Sequence, residues 1–184
     1  MLEISLNILD IAQNSIRANA TLIEITVEEN PESDLFAFTI KDNGCGMDDE
    51  MVKTVSDPFV TTRTTRKVGL GISLLKSAAQ QTGGDIKITS KLGEGTTVRA
   101  DFSYGHIDRQ PLGDISAVMV SLISMNPDID FLYTHKFCEK EFVLDTRELR
   151  KVLGQEVRLS EISVATWIQE FINENLTEIY GGAK

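Results

Sequence analysis

Three pairs of glycines, each split by one residue, punctuate the first half of this 184-residue chain: Gly44 and Gly46, Gly69 and Gly71, Gly93 and Gly95. Each pair stands where one regular pattern stops and another starts, so the backbone must turn, or pass close to something, at three chosen places. One such pair says little, because glycine serves turns everywhere. Three in this order say more. The first follows the alternating run LFAFTIK (35–41) and the dipeptide Asp42-Asn43, the second opens VGLGISLLK, and the third lies in the turn LGEG between DIKITSK and TTVRADF. A glycine-led helix start leaves free amides at the positive end of the helix dipole, where a phosphate is favoured. Arg63, Arg66 and Lys67 stand just upstream, suited to close over an anion.

The rest of this half reads coherently around those turns. Periodicity predicts a helix over residues 5–20, with Leu6, Ile8, Leu9, Ile11, Ala12 and Ile16 on apolar faces. Asn7, Asp10, Asn14 and Arg17 recur every three or four residues; at 100° per residue they occupy a strip about 80° wide. On a helix otherwise so apolar, that strip is a candidate functional face as well as a candidate solvated one. Residues 22–29 and 35–41 alternate apolar with polar across the turn ENPESD, which predicts a hairpin. A short helix, DDEMVKTVS, is expected before Asp57-Pro58, then a loop rich in threonine and cations, then a helix over 72–81 with Leu74, Leu75, Ala78 and Ala79 facing inward. Residues 85–91 and 96–102 are two further strands.

Beyond Tyr104-Gly105 the character changes. Residues 111–125 predict an apolar helix, DFLYTHK and KEFVLDT another hairpin, and 146–153 and 160–178 two more helices. In the last helix Val164, Ile168, Phe171, Ile172, Leu176 and Ile179 form a core face, with Trp167 beside it.

Composition excludes several classes. With 41% hydrophobic residues the chain can bury a core. No apolar run approaches the roughly 20 residues of a membrane span, and the start lacks the blocks of a signal peptide, so no membrane association and a cytoplasmic location are expected. A net charge of -10 opposes a broad nucleic-acid footprint, leaving room for an anion only where a few cations and amides converge. Cys45 and Cys138 match no metal spacing and are expected as two reduced thiols. An amide oxygen at Asn14 suits a hard cation such as magnesium. Phosphate, metal and carboxylate together point to a nucleotide.

Residues 5–103 resemble the GHKL ATP-binding domain shared by gyrase, the ninety-kilodalton heat-shock chaperone, histidine kinases and MutL. DIAQNSIRANAT is similar to its N-box, DNGCGMD to its first glycine box, DPFVTTR to its phenylalanine box, VGLGISLLK to its second glycine box and GEGTTV to its closing strand turn. The resemblance implies an α/β sandwich of the Bergerat type, a mixed sheet with helices on one face, over residues 1–104, followed by an α+β extension over 105–184. It implies ATP and magnesium as ligands. Asp42 would accept from the adenine amino group, with Thr96 supporting the same edge. Asn14 would hold magnesium against the phosphates. The amides around Gly69, Leu70 and Gly71, together with the lid residues Thr61, Thr62 and Arg63, would surround the phosphates. Gly44 and Gly46 would let the backbone pass against the purine, and Cys45 would be a small side chain packed away from it. Asp10 stands where many ATP-hydrolysing members carry a catalytic glutamate; one methylene shorter, it points to slow or absent hydrolysis.

The lid TTRTTRKV is short, closer to those of compact kinases and anti-sigma serine kinases than to the long lids of gyrase or MutL. Met1 lies almost on the N-box, so the dimerising hairpin that carries a sensor kinase's phosphoacceptor is not expected ahead of it. GHIDRQPLGDI (105–115) does resemble the histidine box, which makes His106 a candidate phosphoacceptor against a reading as linker and helix N-terminus with Pro111 in the first turn. His135 falls in a strand pattern and is expected to be structural. The expected function is ATP-magnesium binding coupled to phosphotransfer onto a histidine or serine/threonine of an unidentified protein partner; the alternative is a nucleotide-gated switch or assembly factor with little turnover. Two roles stay open for the extension: docking on the ATP-binding domain, or mediating a homodimer.

Overall fold

The computed structural model describes residues 3–56, 70–154 and 157–181. Alternation in the sequence becomes three hairpins. In the first, β1 (Leu22–Asn30) and β2 (Leu35–Asp42) pair with Ile25 opposite Ile40. The turn between them is tied by Asn30, whose side-chain oxygen accepts from the amides of Glu32 and Ser33. The second hairpin, β3 (Asp85–Lys91) and β4 (Gly95–Ser103), adds antiparallel to β2 and sets Thr96 opposite Asp42. The third, β5 (Asp130–Phe137) and β6 (Lys140–Asp145), comes from the extension, and β5 runs parallel to β1 with Tyr133 opposite Ile25. One six-stranded mixed sheet results, in the order β3-β4-β2-β1-β5-β6.

The period of two puts Ile23, Ile25 and Val27 of β1, Phe36, Phe38 and Ile40 of β2, and Val98, Ala100 and Phe102 of β4 on one buried face. Helices cover it. From α1 (Ile4–Arg17) come Ile4, Ile8 and Ile11; from α3 (Leu70–Gln81), Ile72, Leu75 and Ala79; from α4 (Ile115–Met125), Met119 and Leu122; and from α6 (Ile162–Ile179), Ile168 and Ile172. Each such Val, Leu, Ile, Met or Phe side chain contributes about 1.5–3 kcal/mol on full burial. Two shorter helices, α2 (Asp49–Ser56) and α5 (Thr146–Leu153), complete the described elements. The other sheet face carries polar side chains, among them the Arg99–Glu28 and Lys41–Glu24 ion pairs.

Three sequence expectations change. Leu74 is 57% exposed: Ile72, Leu75 and Ala79 already fill the inward face of α3, and Leu74 falls outside that arc. Pro111 is not in a first helical turn. Helix α4 starts four residues later behind Asp114, whose carboxylate accepts from Ala117 N at 2.9 Å. The Pro111 and Leu112 carbonyls instead accept from Ile4 N and Ser5 N at 2.9 and 2.8 Å, satisfying two amides at the start of α1, where Glu3 makes no side-chain cap. Asn7, read as part of the open strip of α1, is buried and donates to Glu3 O and to Gln110 of the same linker. The linker is further anchored by Arg109, whose guanidinium lies over the Phe36 and Tyr104 rings at 4.9 and 4.8 Å and donates to Tyr104 O. In α6 the core face is as read, with Trp167 stacked on Phe171 at its exposed margin.

Candidate functional site

The site is built at the end of the sheet where β2 runs out. Asn43 fastens that end: its side-chain oxygen accepts from Thr21 N and Leu22 N, both at 2.9 Å, and its amide nitrogen donates to Thr21 Oγ1. Asp42, one residue earlier, therefore has a fixed backbone and a side chain aimed at the helical layer. It is 8% exposed. Oδ2 accepts from Ser15 Oγ of α1 at 2.6 Å, and Oδ1 from Gly44 N at 2.9 Å and Thr96 N at 3.3 Å. A carboxylate has about four acceptor positions, so three donors leave one for something else.

The glycines explain how the chain can pack so closely around this carboxylate. A Cβ on Gly44 would stand 2.8 Å from Ala18 O and 3.1 Å from Asp42 Oδ1. At Gly46, where φ is +65°, it would reach within 2.0 Å of Lys91 O, and at Gly95, where φ is +111°, within 1.9 Å of Asp42 O. Glycines 44, 46 and 95 thus give clearance first of all to the chain itself, because the loop after Asp42 and the β3–β4 turn are packed backbone to backbone. Cys45 N donates to Ala18 O and Cys45 O accepts from Gly93 N, so this loop is held from both sides while the Cys45 thiol is exposed, not packed away. Cys138 is likewise a free, exposed thiol.

A polar row crosses three strands on the helix-facing side: Asp42 on β2, Thr96 opposite it on β4, and Ser90 opposite Thr96 on β3. Ser90 Oγ bonds Thr96 Oγ1 at 2.8 Å, lies 2.9 Å from Gly95 O, and accepts from Met47 N at 2.8 Å. Ser15 and Ser90 were not singled out from the sequence. Both carried a signal, since each puts a hydroxyl where the apolar period of its element asks for a hydrophobe.

Helix α1 supplies the rest. Asp10 is exposed, and its Oδ2 would lie 2.9 Å from a Cβ on Gly71, so α1 meets the first turn of α3 at that carboxylate. Asn14, one turn on from Asp10, is half-buried, and its Oδ1 accepts from Arg17 Nη1 at 3.1 Å. These oxygens are a fitting donor set for magnesium, which keeps most of its waters and takes few protein ligands; among the described residues no cluster of three or more His, Cys, Asp or Glu side chains forms a dedicated metal cage. Leu70 begins α3, while Thr61, Thr62, Arg63 and Gly69 lie outside the described residues.

His106 is elsewhere. It follows β4, where Asp34 accepts from Ser103 Oγ and Gly105 N, and those two bonds, the hydroxyl first, hold the Asp34 carboxyl below its usual range. The eight residues of extended chain between Asp34 and Asp42 put His106 about 25 Å from Asp42. His135 is fully buried and bonded to Tyr133, Glu29 and Tyr180, as a structural histidine would be.

Comparison with known proteins agrees with this fold. The profile of the family described as histidine kinase-, DNA gyrase B- and HSP90-like ATPase matches residues 3–105. A putative sensor protein of Shewanella frigidimarina is 34% identical over 103 residues, which is 55% of this chain and 16% of that protein. The signal transduction histidine-protein kinase AtoS of Escherichia coli is 35% identical over 91 residues, 49% of this chain and 15% of its own length. The sensor histidine kinase WalK of Bacillus subtilis is 34% identical over 87 residues, 45% and 14% respectively. The matched region thus spans less than a fifth of each of these relatives. Among solved structures, the Aquifex aeolicus MutL ATPase domain complexed with ADP aligns with 83% of this chain and 69% of its own, at a TM-score of 0.54 and 16% identity, a likeness of fold. The mixed sheet, the helical layer and the matched motifs together place this chain in the histidine kinase-, DNA gyrase B- and HSP90-like ATPase family.

Proposed function

We propose that this chain binds ATP with magnesium at the Asp42 end of the sheet and passes the terminal phosphate to a protein. The observation that carries the reading is the one acceptor position left on a buried carboxylate that three donors otherwise hold, at the strand end where the glycine loop begins. That position suits the adenine amino group. Asn14 would hold magnesium, which when bound supplies charge neutralisation between phosphate oxygens. Asp10, beside the start of α3, would orient the attacking group, and the amides around Gly69, Leu70 and Gly71 with Thr61, Thr62 and Arg63 would meet the phosphates. The distance of His106 from Asp42 argues against transfer to it within one chain, so the acceptor is a histidine or serine/threonine on another molecule. The kinase relatives support phosphotransfer as the reaction class.

Asp10 favours a second reading. With a side chain one methylene shorter than glutamate, turnover would be slow and the domain would act as a nucleotide-gated switch. Incubation with ATP labelled on its terminal phosphate separates the two. Acid-labile protein label marks a histidine kinase, acid-stable label a serine/threonine kinase, and neither, with ATP binding intact, the switch. Loss of label in His106→Ala would restore that histidine as acceptor, in trans.

A further inference from the structure

The sheet ends at β6, and among the described residues no strand lies beyond it. Which of its backbone groups are free follows from its neighbour. Asp130 N and Cys138 N donate to Thr21 O and Glu29 O, so the even-numbered residues of β5 turn their backbone to the β1 side and the odd-numbered ones to β6. Tyr133, His135 and Phe137 pair with Leu144, Phe142 and Lys140. The N–H and carbonyl groups of Glu141 and Val143 therefore point away from the sheet. Beside them, between β6 and α6, lies a cavity of about 360 Å³ lined by Lys140, Glu141, Phe142, Asn175, Glu178 and Ile179. An aromatic ladder runs from it to the surface: Phe142 meets Phe171 edge-on at 5.5 Å, and Phe171 stacks at 5.0 Å on Trp167, which is 44% exposed. The α6 wall is held in place, because Tyr180, next to Ile179, bonds Glu29 and His135. Glu174 and Glu178, one turn apart on α6, are exposed and form no ion pair with a described residue.

We infer that the free edge of β6 and the flank of α6 form a docking groove for an extended, basic segment of a protein partner, which adds to the sheet as a seventh strand. Its backbone bonds Glu141 and Val143, and its side chains alternate between the two faces. On the helix side, lysine or arginine stems lie over Phe142 and the aromatic ladder, with their charged heads at Glu174 and Glu178. On the open face, β-branched side chains stand beside Val143, which is 47% exposed. Charge selects this occupant over a second copy. A two-fold pairing of β6 edges would set each copy's Glu174 and Glu178 against the other's, in a chain that already carries a net charge of -10. The groove lies on the extension and shares no residue with the Asp42 site, so the inference is independent of the ATP-binding reading.

The test titrates the whole chain with a capped heptapeptide of alternating lysine and valine, and with its glutamate–valine counterpart. Trp167, the one tryptophan of the sequence, reports binding by its emission, and amide hydrogen exchange reads the Glu141 and Val143 N–H groups. The lysine peptide is expected to change the emission saturably, to bind at least about tenfold more tightly than the glutamate peptide, and to slow exchange at both amides. Val143→Pro removes an outward N–H while sparing the bonds to β5, as an edge strand tolerates, and should weaken the lysine peptide about tenfold. Should that variant fold poorly, Glu174→Lys with Glu178→Lys, on the exposed face of α6, is expected to abolish the preference for the lysine peptide. No saturable change with the lysine peptide, equal affinity for the two peptides, or unslowed exchange at Glu141 and Val143 overturns the inference. Exchange that slows with protein concentration alone assigns the edge to a second copy and overturns it too.

Discussion

The two ends of the sheet each bury a carboxylate to the same degree, and they do it with opposite chemistry. Asp42 and Glu29 are both 8% exposed. Asp42 is held by small groups: a serine hydroxyl and two backbone amides. Glu29, about 20 Å along β1 from the residue opposite Asp42, is held by rings. His135 Nε2 lies 2.9 Å from its Oε1, Tyr180 donates to the same oxygen, and Tyr133 bonds the far side of the imidazole at 2.6 Å. Rings that satisfy a carboxylate bring side-chain bulk with them; a serine hydroxyl and backbone amides bring almost none. Holding Asp42 with backbone and one hydroxyl leaves it an acceptor position. Satisfying Glu29 with aromatic side chains seals the other end and pins the last turn of α6, through Tyr180, to the sheet.

That contrast can be broken in order of expected size. Removing the sealed carboxylate with Glu29→Ala strands His135 and Tyr180 and should cost about 3 kcal/mol of stability in chemical denaturation while leaving ATP affinity unchanged; a matching loss of affinity would mean the ends are not independent. Asp42→Asn should do the reverse. With free ATP-magnesium at 100 times the wild-type dissociation constant, the wild type gains about 2.7 kcal/mol and the variant essentially nothing. Equal thermal shifts in the two proteins would remove Asp42 from the site. Tyr180→Phe deletes the hydrogen bond to Glu29 and should destabilise by about 1 kcal/mol; an unchanged denaturation midpoint would show that this latch carries no stability.

The smallest effect is in alkali. Burial first, and then the charge of Glu29, raise the Tyr104, Tyr133 and Tyr180 phenols above their usual value. A folded-state pKa above the unfolded one, near 10, means this contribution is complete below pH about 10 and is lost as pH climbs from there through the folded values. Phenolate absorbance should therefore rise together with loss of structure. An early rise in the native protein would show the aromatic end to be less sealed than its packing indicates.

Much of the Asp42 end was legible in sequence. The Asp42 turn, the two outer glycine pairs and the strip bearing Asp10 and Asn14 are short-range patterns, set by backbone clearance and by the periods of strand and helix. What could not be read was which atoms meet. Leu74 and Leu75 both look inward from composition, and only the position of α3 against the sheet exposes one of them. Gly44 and Gly46 looked like clearance for a purine; the third dimension shows Gly44 facing Ala18 and Gly46 facing the Lys91 backbone beside the β3–β4 turn. Asn7 looked like a neighbour of Asn14 in function, and the linker from the extension took it instead.

By itself, then, the sequence determined the order of the elements, the alternation that buries one sheet face, and the family motifs, because each depends on residues close along the chain. Tertiary structure alone decided the contacts that give those motifs their chemistry: Ser15 with Asp42 across 27 residues, Met47 with Ser90 across 43, Thr96 with Asp42 across 54, and Tyr180 with Glu29 across 151. Such bonds exist only once the strands have chosen their neighbours and register, and a slip of one residue in any strand would turn these side chains to the opposite face.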